Sequence, residues 1–400
     1  MRATHRGSRG PFPDLPPGRG SKIEREERLL VRMEIDRAAI GANYRAVGKL
    51  LAKGCKIIAV VKADAYGLGL VPVAKTLSGQ GCRDFAVATV AEGVELRQAG
   101  LTGEILVLGS IPSRQAREAV EWNLSVICGD LELARALKEA SACAGKRARL
   151  HLKVDTGLGR IGFFPPQVLP AVRAIQGWSE IEIAAITTHF ASADERNLDY
   201  ARWQGARFME VLHELEEEGI RLPLRHACNS AAILNCPEMH LDAVRCGIFL
   251  YGLPSGHASR PLELERVFEV KSELVAVRGL PARHPVGYGL RYVTRGETRL
   301  GVIPMGFNDG FLRGTKNPEV LVRGTRVPVV GSVCMDQMMV DLAFVPDAAR
   351  GDEVVLIGRQ GEEEITAQEY AARIDTIPAQ AMTLFSRRVA RVYKGGEDDA

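Results

Sequence analysis

Eight short apolar runs, each separated from the next by a helix-like segment or a turn, dominate the chain between Ile40 and Gly247. They are KIIAVV, DFAVAT, EILVLG, NLSVIC, RLHLKV, IEIAAIT, LRHA and AVRCG. The segments between them show helical spacing, as in AEGVELRQAG and RFMEVLHELEEEG. This alternation predicts an α/β fold with a closed (β/α)8 barrel of the TIM type. An open doubly wound sheet is the alternative, but no GxGxxG follows the first strand.

The pattern changes after about Pro261, where strand-like pieces separated by turns replace most helical runs. We therefore expect a barrel domain at residues 33–262 and a mainly antiparallel β domain at residues 263–395. The early segment RMEIDRA is a candidate additional strand of the second domain, and it would connect the two domains. Residues 1–32 are rich in Pro, Gly and charge, so we expect a mobile N-terminal tail.

Composition limits the classes of partner and the compartment. Lys plus Arg is 52 and Asp plus Glu is 49, and this near balance predicts neither nucleic acid nor a membrane as a partner. No apolar run reaches the length of a transmembrane helix. The eight cysteines occur singly, without zinc-like spacing, so no metal site is predicted and a reduced cytoplasmic protein is expected.

Chemically active residues follow the carboxyl ends of the predicted strands, where sites in such barrels are built. They are Lys62 after the first run, Lys153 and Arg160 after the fifth, His189 after the sixth, Asn229 and Ser230 after the seventh, and Arg245, Gly247 and Ile248 after the eighth. Taken alone, Lys62 could extend along a rim, His189 could be a core histidine and Ser230 a helix N-cap. Their shared location favours one site, and Ser230 with Gly247 suits a phosphate group.

Several motifs resemble one family. AVVKADAYGLG resembles the pyridoxal-phosphate attachment motif of alanine racemases, and LHLKVDTGLGRIG, THFASADE, HACNSAA, VRCGIFLYGL, VGYGLRY and GSVCMDQMMVDL resemble later segments in the same order. The resemblance runs from Met33 to Tyr393. It implies a barrel plus a β domain, pyridoxal 5'-phosphate as cofactor, and a homodimer with shared active sites. The implied reaction interconverts L- and D-alanine, an amino-acid substrate, and supplies D-alanine for peptidoglycan.

The resemblance also implies roles for individual residues. Racemisation needs a base on each face of Cα, and the implied bases are Lys62 for the D-face and the partner subunit's Tyr288 for the L-face. Arg160 and Met335 would bind the substrate, and Lys153 matches a lysine that is carbamylated in many members. The implied cofactor-binding residues are Lys62, Tyr66, Arg160, His189, Asn229, Ser230, Arg245, Gly247 and Ile248.

The sequence departs from the family at three positions. Ala379 replaces a tyrosine that touches the phosphate and crowds the substrate, Ser332 replaces an entrance arginine, and Phe307 replaces a second tyrosine. A broader amino-acid or serine racemase of the same fold is therefore an alternative. A non-catalytic cofactor carrier would lack the second domain and Tyr288. A decarboxylase would use an acidic partner for the pyridine nitrogen, which Arg245 argues against.

Overall fold

The structure, a computed structural model, describes residues 30–395, which start with strand β1 (Val31–Asp36) and helix α1 (Arg37–Gly48). The next eight strands are parallel and close into a barrel, because β2 pairs with both β3 and β9. They are β2 (Lys56–Val60), β3 (Asp84–Val87), β4 (Glu104–Val107), β5 (Ser125–Cys128), β6 (Ala148–Lys153), β7 (Ile181–Thr187), β8 (Arg225–His226) and β9 (Ala243–Cys246). Each coincides with one of the apolar runs, so the predicted barrel is confirmed.

Helices connect successive barrel strands. They are α2 (Leu70–Gly79), α3 (Val90–Gln98), α4 (Ala116–Glu121), α5 (Leu131–Ala144), α6 (Pro165–Gln176), α7 (Asp199–Glu217) and α8 (Ser230–Asn235), with 3-10 turns at Ser113–Gln115, Pro237–Met239 and Ile248–Tyr251. Local side chains fix several of their starts. Thr89 and Glu92 form a reciprocal capping box at α3, and the Asp130 carboxylate accepts the Leu133 N–H at 2.8 Å at α5.

The second half of the chain contributes nine strands to a ten-stranded, mainly antiparallel sheet, as expected. These strands are β10 (Phe268–Glu273), β11 (Ala276–Leu280), β14 (Thr298–Ile303), β15 (Glu319–Val322), β16 (Thr325–Val330), β17 (Met338–Asp341), β18 (Glu353–Gln360), β19 (Glu363–Ile365) and β20 (Ala390–Lys394). With β1, the order in the sheet is β11-β14-β17-β16-β15-β18-β10-β1-β20, and β19 pairs with β18. A hairpin of β12 (Pro285–Val286) and β13 (Tyr292–Val293) encloses the turn Tyr288–Leu290, and helices α9 (Ala367–Arg373) and α10 (Pro378–Thr383) precede β20.

Strand β1 joins the two halves of the molecule. It precedes the barrel in sequence, yet it lies in the second sheet, antiparallel to β10 and parallel to β20. Met33 and Ile35 of this strand are completely buried. The additional strand predicted in RMEIDRA is thus confirmed, and it begins at Val31, inside the expected tail. The rest of the tail, residues 1–29, lies outside the described residues.

None of the helices in the described part of the chain is both long enough and apolar enough to cross a lipid bilayer.

Candidate active site

The loop after β2 turns in the left-handed sense. Residues 63–66 have φ angles of 54°, 56°, 50° and 57°, which residues with a Cβ rarely adopt. Because each such residue costs about 1–2 kcal/mol, neighbouring contacts have to hold the turn. Lys62 lies at its start and Tyr66 at its end. Lys62 therefore lies two residues after β2, where the chain leaves the barrel through a constrained turn.

The Lys62 side chain is partly buried among charged neighbours. Burial lowers the pKa of Lys62, the charge of Arg160 lowers it further, and the charge of Glu92 opposes both. A lowered pKa increases the share of neutral amine, which is the nucleophilic form and also the form that acts as a base. The geometry therefore favours amine chemistry at this position.

Tyr66, Ser230 and Gly247 meet beside this turn. The Gly247 N–H donates to Ser230 Oγ at 3.0 Å, so the Ser230 hydroxyl hydrogen is directed elsewhere. A Cβ on Gly247 would lie 2.9 Å from the Tyr66 hydroxyl, so the close approach requires glycine. Ile248 follows at the start of the 3-10 turn. Two hydroxyls and adjacent backbone amides suit an anion such as phosphate.

Asn229 has a defined structural task. It is the N-cap of α8, and its Oδ1 accepts the Ala232 N–H at 3.0 Å. The cap considered for Ser230 is thus provided by its neighbour, which leaves Ser230 available to the site. The implied cofactor contact of Asn229 stays a prediction.

Arg245 is buried at the end of β9, and its terminal nitrogens are fully engaged. Nη1 donates to Thr187 Oγ1 at 3.0 Å and to His226 Nδ1 at 2.6 Å. Nη2 donates to His189 Nδ1 at 3.0 Å and to the carbonyls of Thr188 and Ala227 at 2.9 and 2.8 Å. Burial lowers the pKa of Arg245 to about 10, which leaves it charged at neutral pH. No hydrogen bond with residues 30–395 uses its Nε.

The Arg245 guanidinium fixes the protonation of a chain of buried side chains. Burial and the nearby guanidinium hold the pKa of His226 well below its ordinary value, and its Nδ1 accepts from Arg245. Its proton therefore lies on Nε2, which donates to His151 Nδ1 at 3.0 Å. His151 Nε2 in turn faces Glu104 Oε1 at 3.5 Å. Burial would raise the pKa of Glu104, but hydrogen bonds from His151 and Ser125 hold it at about 2.

His189 is fixed in the same way on the other side of Arg245. Burial, followed by the charge of Arg245, lowers the pKa of His189 well below its ordinary value. Because Nδ1 accepts from the guanidinium, the proton of the neutral ring lies on Nε2. His189 therefore presents an N–H donor on the side away from Arg245.

Lys153 and Arg160 flank the same region from the end of β6. The Asp155 carboxylate accepts the backbone N–H groups of Gly157, Leu158 and Gly159 at 2.9–3.1 Å, which shapes the loop that leads to Arg160. Burial, then the charge of Arg245, lowers the pKa of Lys153 to about 7. Its ammonium group donates to the Val154 carbonyl at 2.7 Å.

Tyr288 and Met335 are placed differently from the other predicted site residues. They lie in the β domain and are 69% and 56% exposed. No hydrogen bond within residues 30–395 joins either side chain to Lys62, His189 or Arg245. Ser332 is 5% exposed and its hydroxyl donates to the Tyr288 carbonyl at 2.8 Å, so it supports the Tyr288 turn from inside the domain.

Sequence reasoning missed several residues that hold the site. Thr187, His151 and Glu104 belong to the buried polar chain, and Glu92 accepts backbone N–H groups of the Lys62 turn. For His151 the available signal was a polar residue in the middle of an otherwise apolar strand, RLHLKV, whereas Glu104 and Thr187 lie at strand ends. For Glu92 the sequence indicates only a helix-capping role, because Glu92 follows Thr89 by three residues.

Comparisons with known proteins agree along most of the described chain. The family models "Alanine racemase, N-terminal domain" and "Alanine racemase, C-terminal domain" match residues 35–255 and 267–393. The alanine racemase of Halothermothrix orenii is 42% identical over 363 residues, which cover 90% of this chain and 96% of that protein.

Solved structures agree as well. The alanine racemase of Clostridium difficile 630 superposes with a TM-score of 0.89 at 36% identity, covering 92% of this chain and 97% of that one. The histidine racemase of Leuconostoc mesenteroides gives 0.84 at 30% identity, covering 92% and 98%. By sequence and by fold, this chain belongs to the alanine racemase family.

Proposed function

We propose that this protein interconverts L- and D-alanine with pyridoxal phosphate as cofactor, and that it supplies D-alanine for peptidoglycan from the cytoplasm. The observation that carries the proposal is the convergence of four cationic side chains on one imidazole. They are Lys62, Lys153, Arg160 and Arg245, whose charges add to burial in lowering the pKa of His189. Such a site favours anionic ligands, and the cofactor phosphate and a substrate carboxylate are both anions.

The residues present fit pyridoxal phosphate. Tyr66, Ser230 and the backbone at Gly247 and Ile248 would hold the phosphate, because they present hydroxyls and amides around a backbone that has no Cβ in the way. Lys62 would hold the aldehyde carbon, and Asn229 and His189 line the same rim. When bound, the cofactor supplies an electron sink that makes the Cα proton of an amino acid removable.

Arg245 would face the pyridine nitrogen through Nε, the one guanidinium nitrogen that the protein leaves without a hydrogen bond in the described chain. A guanidinium donates and cannot accept, so the ring nitrogen would stay unprotonated. A weaker electron sink favours return of the proton to Cα over side reactions at the ring. The fixed histidine tautomers on both sides of Arg245 keep this donor in place.

Two bases would act on opposite faces of Cα. Lys62, with its lowered pKa, would exchange the proton of the D-enantiomer. The partner subunit's Tyr288 would exchange the proton of the L-enantiomer, and the His189 Nε2–H would donate to its phenolic oxygen. Arg160 and the backbone N–H of the partner subunit's Met335 would bind the substrate carboxylate.

The exposure of apolar β-domain side chains supports the proposed homodimer. Tyr288 is 69% exposed, and the neighbouring Leu290 and the more distant Ile377 are 66% and 64% exposed. Contiguous exposed apolar side chains mark interaction surfaces, and Tyr288 and Leu290 lie in the same short turn. A second subunit that covers this surface would bring Tyr288 and Met335 to the barrel rim of its neighbour and complete both sites.

Lys153 is suited to carbamylation. A carbamate forms from the neutral amine and carbon dioxide, and a pKa of about 7 leaves a large neutral share near neutral pH. After burial, the charge of Arg245 and, less strongly, that of Arg160 lower the pKa of Lys153. Carbamylation would replace the positive charge of Lys153 with a negative charge. The repulsion between Lys153 and Arg160 would then become an attraction, which would orient the Arg160 guanidinium.

Broader specificity is the second candidate function. Helix α10 carries Ala379 and packs against Gly67, which directly follows the left-handed turn at residues 63–66. A Cβ on Gly67 would lie 3.1 Å from the carbonyl of Met382 in this helix. By the resemblance, the small Ala379 side chain would leave space near the phosphate end of the site. The histidine racemase of Leuconostoc mesenteroides has a similar fold, and the amino acid in its name has a larger side chain than alanine. A non-catalytic carrier is disfavoured because the second domain and Tyr288 are present.

The first prediction concerns Lys62. The purified protein should be yellow, and borohydride should fix the cofactor on the Lys62 peptide, because this amine is the one adjacent to the phosphate site. Lys62→Ala should abolish colour, labelling and racemisation, whereas Lys56→Ala on the exposed end of β2 should retain all three. Label on a different peptide after reduction would refute the assignment.

The second prediction uses subunit complementation. Lys62→Ala and Tyr288→Phe should each inactivate the homodimer, the latter by about 100- to 10,000-fold with slower Cα proton exchange for L-alanine than for D-alanine. When the two variants are mixed and re-equilibrated, heterodimers should contain one intact site, and activity should return to about a quarter of wild type. If Tyr288 served its own subunit, no mixture would recover activity. Sedimentation of wild type as a fully active monomer would also contradict the shared site.

The third prediction concerns pH. With dissolved ¹³CO₂ held constant, a carbamate carbonyl signal should grow from about pH 6 to about pH 8, because the neutral share of Lys153 rises as pH passes its lowered pKa. Lys153→Met should remove the signal, and Lys146→Met at an exposed site should retain it. A spectrum without a carbamate at any pH would show that Arg160 is oriented without one.

The fourth prediction concerns Ala379. Ala379→Tyr should lower the ratio of kcat/KM for serine to that for alanine by about 10-fold, because a side-chain wall excludes added substrate atoms. It should also strengthen cofactor binding by about 0.5–1.5 kcal/mol through one hydrogen bond. Ala372→Tyr on the exposed face of α9 is the control. An unchanged ratio would mean that other residues already close the pocket.

A further inference from the structure

The left-handed turn at residues 63–66 is held at its start by one carboxylate. Glu92 Oε1 accepts the N–H groups of Ala63 at 2.6 Å and Asp64 at 3.3 Å. Its Oε2 accepts the N–H groups of Ala88 at 2.8 Å and Thr89 at 3.2 Å. Glu92 thus does more than complete a capping box, because it ties the turn that follows β2 to the start of α3.

The far end of the turn is held by the last strand of the β domain. Arg391 Nε donates to the Gly67 carbonyl at 3.0 Å, and the Tyr393 hydroxyl donates to the Leu68 carbonyl at 2.8 Å. A Cβ on Gly69 would lie 1.9 Å from the Tyr393 hydroxyl, so the segment has no room on that side. The Arg391 guanidinium is itself fixed by the carbonyls of residues 385, 386 and 389.

The turn links two groups that have to act together. Lys62 precedes the four left-handed residues, and Tyr66 is the last of them. If those residues relaxed to right-handed or extended angles, the distance between the two side chains would change. Backbone strain of this kind persists only where surrounding contacts over-determine it, and Glu92 provides the contacts nearest Lys62.

We propose that Glu92 is a positioning residue, which keeps the Lys62–Tyr66 turn left-handed and thereby sets the amine and the phosphate-binding hydroxyl at their working separation. Arg391 and Tyr393 support the same turn from the β domain. The inference rests on the proposed function for the roles of Lys62 and Tyr66. The hydrogen bonds to Glu92 are independent of any cofactor.

The test compares Glu92→Gln with Thr89→Ala. An amide can replace one carboxylate oxygen as an acceptor but not both, so Glu92→Gln should loosen the turn. Thr89→Ala removes the hydroxyl that accepts the Glu92 N–H at 3.2 Å, and so weakens the α3 cap without touching the turn. Both variants weaken the α3 cap, so a loss of global stability that comes from the cap should appear in both.

Three readouts separate positioning from stability. In the full-length protein stripped of cofactor, amide hydrogen exchange of residues 62–70 should be faster in Glu92→Gln than in wild type, and unchanged in Thr89→Ala. The Kd for pyridoxal phosphate should rise by about 10-fold in Glu92→Gln alone, and kcat should fall with it. Tyr393→Phe should show the same pattern more weakly, and it serves as the test if Glu92→Gln does not fold.

Equal exchange, Kd and kcat in Glu92→Gln and Thr89→Ala would overturn the proposal and leave Glu92 a helix cap. Failure of the proposed function would look different. Wild type would then bind no pyridoxal phosphate at Lys62, while the exchange measurement on the stripped protein would still decide whether Glu92 holds the turn.

Discussion

The site depends on one buried, permanently charged group. The Arg245 guanidinium can only donate, so each imidazole that touches it has to accept, and the tautomers of His189 and His226 follow from that fact. His226 Nε2–H donates in turn to His151 Nδ1, and His151 Nε2 faces the Glu104 carboxylate. A buried cation is costly without partners, and Thr187, Thr188 and Ala227 provide them. The interior of the barrel is thus arranged to orient a single donor toward the rim.

Contacts from both domains hold the strained turn at residues 63–66. Strand β1 precedes the barrel but is buried in the other sheet between β10 and β20. Strand β20 then returns to the barrel through Arg391 and Tyr393, which bind the backbone carbonyls that follow the Lys62 turn. The ends of the described chain therefore lie side by side in one sheet. That sheet contacts the backbone that follows Lys62, the residue that would hold the cofactor. Rigid elements on both sides allow a short segment to keep unfavourable backbone angles.

Much of this could be predicted from the sequence because the pattern is periodic and the barrel places strand ends together. All eight barrel strands, the antiparallel second domain and the joining strand β1 were predicted. The rim residues Lys62, Arg245, Gly247 and Ser230 were found because each follows a strand. Residues inside strands were harder, since His151 in RLHLKV gives no sign of its partner 75 positions later. Asn229 was assigned to the cofactor by resemblance, and the structure shows it capping α8.

The sequence by itself determined the succession of barrel strands, the two-domain plan and the set of side chains at the rim, since these follow from local periodicity and from motifs. Only the tertiary structure decided the hand of the turn, the histidine tautomers, the lowered pKa values of Lys62 and Lys153, and the exposure of Tyr288. Each of these depends on groups that are distant in sequence. Handedness needs Glu92 and Arg391 to bind the backbone, a tautomer needs a neighbouring donor, and a pKa depends on burial and nearby charge. Such quantities arise only when folding brings the groups into contact.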